Sequence, residues 1–226
     1  MPKQNSNNYY DLNYFNEQKI VGKRNAVEII HNFSNFIKET DTVLDFGCGG
    51  GYLLNELNCG YKYGVDINPI ALEEASKMGI KTFTRIDQLK ENSFDVIISN
   101  SALEHDPNPR NSLKKLFKIL KKNGTIVFRV PHETINYSYH SNDWNYHLYT
   151  WSPMALGNLF NDVGFKVLEC KIEKSKRPPV NFLIKNNVLN RSIYYFYRLI
   201  RIFFDEFRIK EIGVDGYTVL VARKCL

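Results

Sequence analysis

Acidic residues and glycines at close spacing give this sequence its first chemical signal. Asp45 lies in an apolar run that ends at Phe46, and glycines follow at positions 47, 49, 50 and 51. Glycine has no Cβ and lets the backbone approach a ligand closely. Helical spacing resumes after the glycines, and a helix N-terminus offers unpaired N–H groups. A strand, a tight turn and a helix start therefore predict a nucleotide-like ligand, with a glycine turn that binds nothing as the alternative.

The residues that flank the glycines restrict the ligand. A phosphate-binding P-loop needs Lys and then Ser or Thr after the glycines, whereas Tyr52 and Leu53 stand there. The dinucleotide fingerprint G-x-G-x-x-G does not match the glycine positions either. The carboxylate of Asp45 would repel a pyrophosphate and attract a positively charged group. We therefore expect a cationic ligand at this turn.

The segment Asp45-Phe46-Gly47-Cys48-Gly49-Gly50-Gly51 resembles the first motif of class I S-adenosylmethionine (SAM) methyltransferases, (D/E)-x-G-x-G-x-G. Every fixed position of that motif is filled. The resemblance is to the small-molecule and glycan enzymes of the type 11/12 group. It implies that SAM is the cofactor and that the protein is a methyltransferase.

Two later acids strengthen this resemblance. Asp66 follows the next apolar segment, 15 residues after Gly51, where a carboxylate can accept hydrogen bonds from both ribose hydroxyls. Asp87 matches the acid that contacts the adenine amino group in this family. The alternative for Asp66 is a solvated acid at the end of a strand. The alternative for Asp87 is a helix N-cap. The residues expected to bind SAM are Asp45, Phe46, Gly47, Cys48, Gly49, Gly51, Asp66, Ile67, Asp87 and Asn100.

The segment Asn100-Ser101-Ala102-Leu103-Glu104-His105 follows the fourth apolar run and resembles the S/N-x-x-L-E-H motif of small-molecule methyltransferases. The (N/D)-P-P-(Y/F) loop of enzymes that methylate amino groups of nucleic-acid bases is missing. A hydroxyl acceptor would benefit from a base, and histidine titrates near neutral pH. We therefore predict His105 and His147 as catalytic residues, with hydrogen bonds that order their loops as the alternative.

Residues 131–151 form an unusually long connection with six aromatic residues and three histidines. Connections of this length are uncommon in compact domains unless they are functional, and ligands of open α/β sheets bind at the carboxyl ends of strands. We expect a lid that binds the acceptor. The spacing of the histidines matches no compact zinc motif, so no metal is predicted. The residues expected to contact the acceptor are His132, Tyr137, Trp144 and Tyr146.

The elements that must position these residues follow from the apolar runs and from the resemblance. The expected fold class is α/β: a Rossmann-like, doubly wound, seven-stranded sheet of order 3-2-1-4-5-7-6, with the last strand antiparallel and helices on both faces. The sequence predicts strands at 42–47, 61–66, 80–84, 93–100, 125–130, 165–173 and 217–223. Helices are predicted at 23–38, 52–58, 70–77, 110–121 and 152–162.

Length and composition fit one domain of this kind. The chain has 226 residues, of which 43% are hydrophobic, enough for a sizeable core. We expect residues 1–40 to form an N-terminal cap and helix, and residues 41–226 to form the SAM-binding domain. The four cysteines lack metal-ligand spacing, and neither a signal sequence nor a membrane-spanning run is visible. The expected location is therefore the cytoplasm.

An insertion at 175–213 separates the last two predicted strands. Within residues 191–210, five charged residues follow one stripe of a helix whose other face is apolar. Such a basic amphipathic helix would suit peripheral contact with the inner membrane surface, a homodimer contact, a roof over the substrate, or packing on its own domain.

The expected reaction is SAM-dependent O-methylation of a small molecule or sugar, such as a surface-glycan precursor. A methyltransferase for lipids or quinones at the membrane surface is one alternative. The net charge of +6 keeps an RNA methyltransferase open as another, although no RNA-binding module is visible. A SAM-binding regulator without an acceptor is a third.

Overall fold

The protein is built around a single mixed β-sheet. The computed structural model describes residues 19, 22–23, 25–133, 138–139, 141, 145–174 and 214–225. Seven strands follow the order 3-2-1-4-5-7-6, and β7 runs antiparallel to both of its neighbours. This confirms the predicted fold class. The strands are β1 (Thr42–Phe46), β2 (Tyr61–Val65), β3 (Lys81–Phe83), β4 (Phe94–Asn100), β5 (Leu120–Glu133), β6 (Lys166–Lys174) and β7 (Val214–Arg223).

Helices cover both faces of the sheet because the central strands are apolar on both sides. Neighbouring residues of a strand point to opposite faces, and Val43 and Leu44 of β1 accordingly belong to different buried clusters. Residues from α1, α2 and α3 pack with Val43, whereas residues from α4 and α5 pack with Leu44. The helices are α1 (His31–Ser34), α2 (Tyr52–Glu56), α3 (Pro69–Lys77), α4 (Pro109–Ile119) and α5 (Pro153–Val163).

Three of these helices begin in the same way. Asn68, Asn108 and Ser152 each occupy the N-cap, and proline follows at the first helical position. Each cap side chain accepts a hydrogen bond from a backbone N–H of the first turn, which would otherwise have no partner inside the helix. The local sequence therefore fixes the residue at which each of these helices begins.

Two boundary predictions are wrong. Pro131 does not stop the fifth strand, because β5 continues to Glu133. The last residue of β5 that pairs with β4 is Arg129, so Pro131 bonds only with β7, and its missing N–H breaks no bond on the β4 side. The helix predicted at 110–121 also ends earlier, at Ile119, and the basic residues that follow it belong to β5.

The predicted N-terminal helix is only partly correct. Residues 25–29 are helical and a turn at Ile30 leads into α1. Val27 is 63% exposed, whereas Ala26, Ile29 and Phe33 are buried. The turn at Ile30 interrupts the helix, so the residues before and after it do not share one continuous buried face. The sequence pattern did not reveal this interruption. Within the described part of the chain, no helix has the length and apolar character to cross a membrane. The insertion at 175–213, including 191–210, lies outside the described residues.

Candidate functional site

The glycine turn lies between β1 and α2, at the carboxyl end of the central strand. Gly47, Gly49 and Gly51 all have positive φ angles, which side-chain-bearing residues rarely adopt. The N–H groups of Gly47 and Cys48 donate to the carbonyl of Val65 at 2.8 and 3.2 Å. The turn is therefore held against the end of β2.

Asp66 is fixed beside this turn by the backbone. One carboxylate oxygen accepts a hydrogen bond from the N–H of Gly49 at 2.8 Å, and the other accepts one from the N–H of Asn68 at 2.9 Å. Burial raises the pKa of Asp66, and these backbone hydrogen bonds oppose the rise. The structure thus brings the predicted ribose-binding acid and the glycine turn together.

Asp45 adds a second buried carboxyl group at this place. Its side chain is buried in β1, and burial, followed by the charge of Asp66, raises the pKa of Asp45 well above the ordinary value. The same two acids and burial raise the pKa of the Cys48 thiol, which keeps that thiol protonated. Two acids in one buried region favour a ligand that brings positive charge.

The remaining predicted cofactor residues surround the same edge of the sheet. Phe46 stacks on Phe128 with ring centroids 6.0 Å apart, and Ile67 is largely exposed. Asn100, the last residue of β4, accepts a hydrogen bond from Arg129 at 2.9 Å.

Asp87 lies on the 3₁₀ turn Ile86–Gln88, and its carboxylate pairs with the ammonium group of Lys115 at 2.7 Å. Asp87 is not the N-cap of this turn, because Arg85 occupies that position. The side chain of Gln88 accepts hydrogen bonds from the N–H groups of Thr84 and Arg85, which stabilise the backbone before this turn. The carboxylate of Asp87 is thus paired with a cation, and its contact with adenine stays a prediction.

Glu104 lies in the next connection, on the short 3₁₀ turn Leu103–His105 after β4. Its side chain is 0% exposed, and neither carboxylate oxygen accepts a hydrogen bond from the side chain of a described residue. Burial raises the pKa of Glu104 to about 8, although its own backbone N–H, followed by the charge of Arg129, opposes the rise. Sequence analysis assigned Glu104 no role. The available signal was its place in the L-E-H segment, directly before a predicted catalytic histidine.

The two predicted catalytic histidines meet at Glu104. Its Oε1 lies 3.8 Å from Nε2 of His105 and 4.0 Å from Nε2 of His147. The imidazole rings of the two histidines have centroids 5.0 Å apart. We call Glu104, His105 and His147 the polar cluster.

Main-chain bonds bring His147 to this cluster across more than 40 residues of sequence. The N–H groups of Leu148 and Tyr149 donate to the carbonyl oxygen of Glu104 at 2.9 and 3.2 Å. Nδ1 of His147 lies 2.7 Å from a carboxylate oxygen of Glu133, at the end of β5. An ionised carboxylate only accepts hydrogen bonds, so Nδ1 carries the proton and Nε2 faces Glu104.

The predicted acceptor-binding residues have different outcomes. His132 bonds through Nδ1 to the carbonyl oxygen of Trp151 at 3.2 Å, a contact that ties β5 to the start of α5. Tyr146 is partly exposed beside His147 in the chain and has a positive φ angle. Tyr137 and Trp144 lie outside the described residues. Residues 131–133, which were expected to open the lid, belong to β5 instead.

Comparisons with known proteins agree with this geometry. The sequence profile of a family described as "Methyltransferase domain" matches residues 16–170, which is more than half of the chain.

Curated relatives include two proteins named ubiquinone biosynthesis O-methyltransferase. The protein from Hydrogenovibrio crunogenus is 29% identical over 127 residues, covering 51% of this chain and 50% of the relative. The protein from Nitrosococcus oceani is 35% identical over 104 residues, covering 41% of this chain and 44% of the relative. The matches thus span about half the length of these curated relatives.

Solved structures share the fold over most of the chain. A SAM-dependent methyltransferase from Thermotoga maritima, described as a possible histamine N-methyltransferase, superposes with a TM-score of 0.66 at 18% identity, covering 96% of this chain and 97% of that one. A SAM-dependent methyltransferase from Archaeoglobus fulgidus gives 0.63 at 19% identity, covering 95% and 100%. At these identities the likeness concerns the fold.

Proposed function

The chain belongs to the methyltransferase-domain family of SAM-dependent enzymes, and from that premise we propose that it methylates a hydroxyl oxygen of a small molecule or sugar. A surface-glycan precursor is one acceptor of this kind. The observation that carries the proposal is the polar cluster next to the glycine turn. A Cβ on Gly47 would overlap the Cβ of Ala102, so the turn and the start of the segment that bears Glu104 are in van der Waals contact.

The residues of the glycine turn fit SAM. Gly47, Gly49 and Gly51 leave the backbone open to close approach. The carboxylate of Asp66, held by Gly49 and Asn68, stands at the end of β2, where such an acid accepts hydrogen bonds from ribose hydroxyls. Asp45 and Asp66 together favour the positive charge that SAM carries.

SAM supplies a methyl group that its sulfonium has already activated, and the sulfur keeps the electron pair of the broken bond as the acceptor oxygen takes the methyl group. The protein must therefore orient the acceptor and assist the loss of its hydroxyl proton. In the polar cluster, His147 has the orientation that this task requires, because its hydrogen bond to Glu133 fixes the ring and keeps the proton on Nδ1 rather than Nε2. Oε1 of the buried Glu104 lies 3.8 and 4.0 Å from Nε2 of His105 and His147, so the carboxyl group helps to define this polar pocket.

A second candidate acceptor is a phenol or quinol attached to a lipid at the membrane surface. The observation in its favour is the similarity to curated relatives named ubiquinone biosynthesis O-methyltransferase. Contact with the membrane through residues 191–210 is part of that candidate.

The test combines cofactor binding with methyl transfer. SAM affinity is measured by calorimetry for the full chain. The chain is then incubated with methyl-labelled SAM and a panel of phenols, quinols, sugars and RNA. We expect SAM binding and label on a hydroxyl oxygen of a small molecule. Transfer only to amines or to RNA, or a failure to bind SAM, would contradict the proposal.

A further inference from the structure

Three side chains of the polar cluster converge on one point. One potential ligand atom from each of Glu104, His105 and His147 lies within 4.8 Å of the other two. Two of these residues follow β4, and the third arrives from the segment before α5. Two imidazole nitrogens and one carboxylate oxygen form a donor set that suits zinc, manganese, iron(II) or cobalt.

The buried carboxylate of Glu104 is the second observation that indicates a cation. It is fully buried, and no side chain of a described residue donates a hydrogen bond to either of its oxygens. When ionised, such a buried carboxylate needs an opposite charge or a metal ion. Arg129 interacts with Glu104 through its charge, but its guanidinium donates to Asn100 and lies over the ring of Tyr217.

Glu133 provides the support that a metal-binding histidine usually has. Its carboxylate holds Nδ1 of His147 at 2.7 Å, which leaves Nε2 as the nitrogen directed at Glu104. A carboxylate behind a histidine fixes the tautomer and makes the ligating nitrogen more basic. The ring of His147 is only 8% exposed, so it has little freedom to turn away.

We propose that Glu104, His105 and His147 bind one divalent transition-metal ion, with Glu133 as the supporting carboxylate of His147. The inference rests on the proposed function. It deepens that function because an ion held by three protein ligands keeps coordination positions open for substrate. Those positions would take an oxygen of the acceptor, and the ion, rather than Nε2 of His147, would then promote loss of the hydroxyl proton. The substrate class becomes a hydroxyl compound that binds a metal through oxygen. The spacing of histidines and cysteines in the sequence does not indicate this site, because its ligands come from segments far apart in the chain.

The distances require a small adjustment on binding. Donor atoms at about 2.1 Å from an ion in tetrahedral or octahedral geometry lie about 3.0–3.4 Å apart. The present separations of 3.8 and 4.0 Å must therefore shorten by about 0.4–1.0 Å. Side-chain rotation suffices for a change of this size, since the backbone is already fixed by the bonds from Leu148 and Tyr149 to Glu104.

The experiment measures metal binding directly. The full chain, freed of metal by a chelator, is titrated with Co²⁺ by visible absorption and with Zn²⁺ by calorimetry. We expect one equivalent of either ion, no tight binding in Glu104→Gln or His147→Gln, and affinity weakened about 10–100-fold in Glu133→Gln. His31→Gln, which alters an exposed histidine paired with Glu173, serves as the matched control and should bind as the parent does.

Two results would overturn the inference: no metal binding by the parent chain, or full affinity in Glu104→Gln. The first result would mean that the cluster is a network of imidazoles and a carboxylate without an ion. SAM affinity and the thermal unfolding midpoint are measured for every variant, so that a folding defect is not mistaken for a lost ligand. Metal binding without hydroxyl methylation would contradict the proposed function alone, and hydroxyl methylation without metal binding would contradict this inference alone.

Discussion

Replacing Gly47 by alanine should destabilise the protein through two separable effects. The φ angle of Gly47 is +73°, and a left-handed conformation costs an L-residue roughly 1–2 kcal/mol. The new Cβ would also overlap the Cβ of Ala102. Neither Cβ can rotate away from the backbone, so this contact acts as overpacking and costs about 1–3 kcal/mol. The expected loss in free energy of unfolding is therefore about 2–5 kcal/mol.

A matched variant isolates the conformational part. Gly79 has a φ angle of +78°, nearly that of Gly47, but a Cβ at that position would meet no atom within 4 Å. Gly79→Ala should therefore lose only about 1–2 kcal/mol. Urea unfolding of both variants, of Ala102→Gly and of the double variant Gly47→Ala/Ala102→Gly forms a double-mutant cycle. We expect a favourable coupling of about 1–3 kcal/mol, because Ala102→Gly removes the overlap.

The reasoning would be refuted if Gly47→Ala were no less stable than Gly79→Ala, or if the cycle showed no coupling. Either result would mean that the glycine turn and the segment before Glu104 are not in contact. The contact also has a functional side, since displacement of that segment would move the polar cluster relative to the cofactor.

Three further predictions concern the acids and the core. Asp66→Asn should weaken SAM binding about 10–100-fold by calorimetry, because hydrogen bonds to a charged acceptor are worth roughly 1.5–3 kcal/mol. The control is Asp162→Asn, at an exposed acid paired with Arg110, which should leave SAM affinity unchanged. Equal SAM affinities for the two variants would contradict the ribose assignment. Asp45→Asn should stabilise the ligand-free protein at neutral pH. Burial raises the pKa of Asp45 in the folded state, so the native state binds more protons than the unfolded state, and the stability of the parent falls as pH rises above about 4. The advantage of the variant should thus grow with pH in unfolding curves, and a constant difference would exclude this cause. Phe160→Ala should cost about 3–5 kcal/mol, because this buried ring packs on Phe128 and Phe165; Met154→Ala, at an exposed position of the same helix, should change stability by less than about 0.5 kcal/mol.

The central strands and the helix starts could be predicted because their signals are local. β4 is an almost unbroken apolar run, and the Asn-Pro and Ser-Pro pairs mark where α3, α4 and α5 begin. The order of the strands came from the family resemblance of the glycine motif rather than from any local pattern. Pro131 misled the prediction because its tolerance depends on which neighbouring strand has already ended.

The site was predictable only in part, for the same reason. Asp45 and Asp66 follow recognisable motifs, and the structure places both beside the glycines. The meeting of Glu104 with His147 depends on main-chain bonds between segments far apart in sequence, and no local pattern signals such bonds. The contacts predicted for Tyr137, Trp144 and residues 191–210 lie outside the described residues. The cytoplasmic location and a homodimer stay predictions.

The bonds from Leu148 and Tyr149 to the carbonyl of Glu104 have an evolutionary consequence. Because they join backbone to backbone, they require no particular side chain at any of the three positions. The exposed side chain of Leu148 can therefore be exchanged for any other except proline, which lacks the N–H, without breaking these bonds. Acceptor preference could change by substitution along this loop while the reactive group keeps its place.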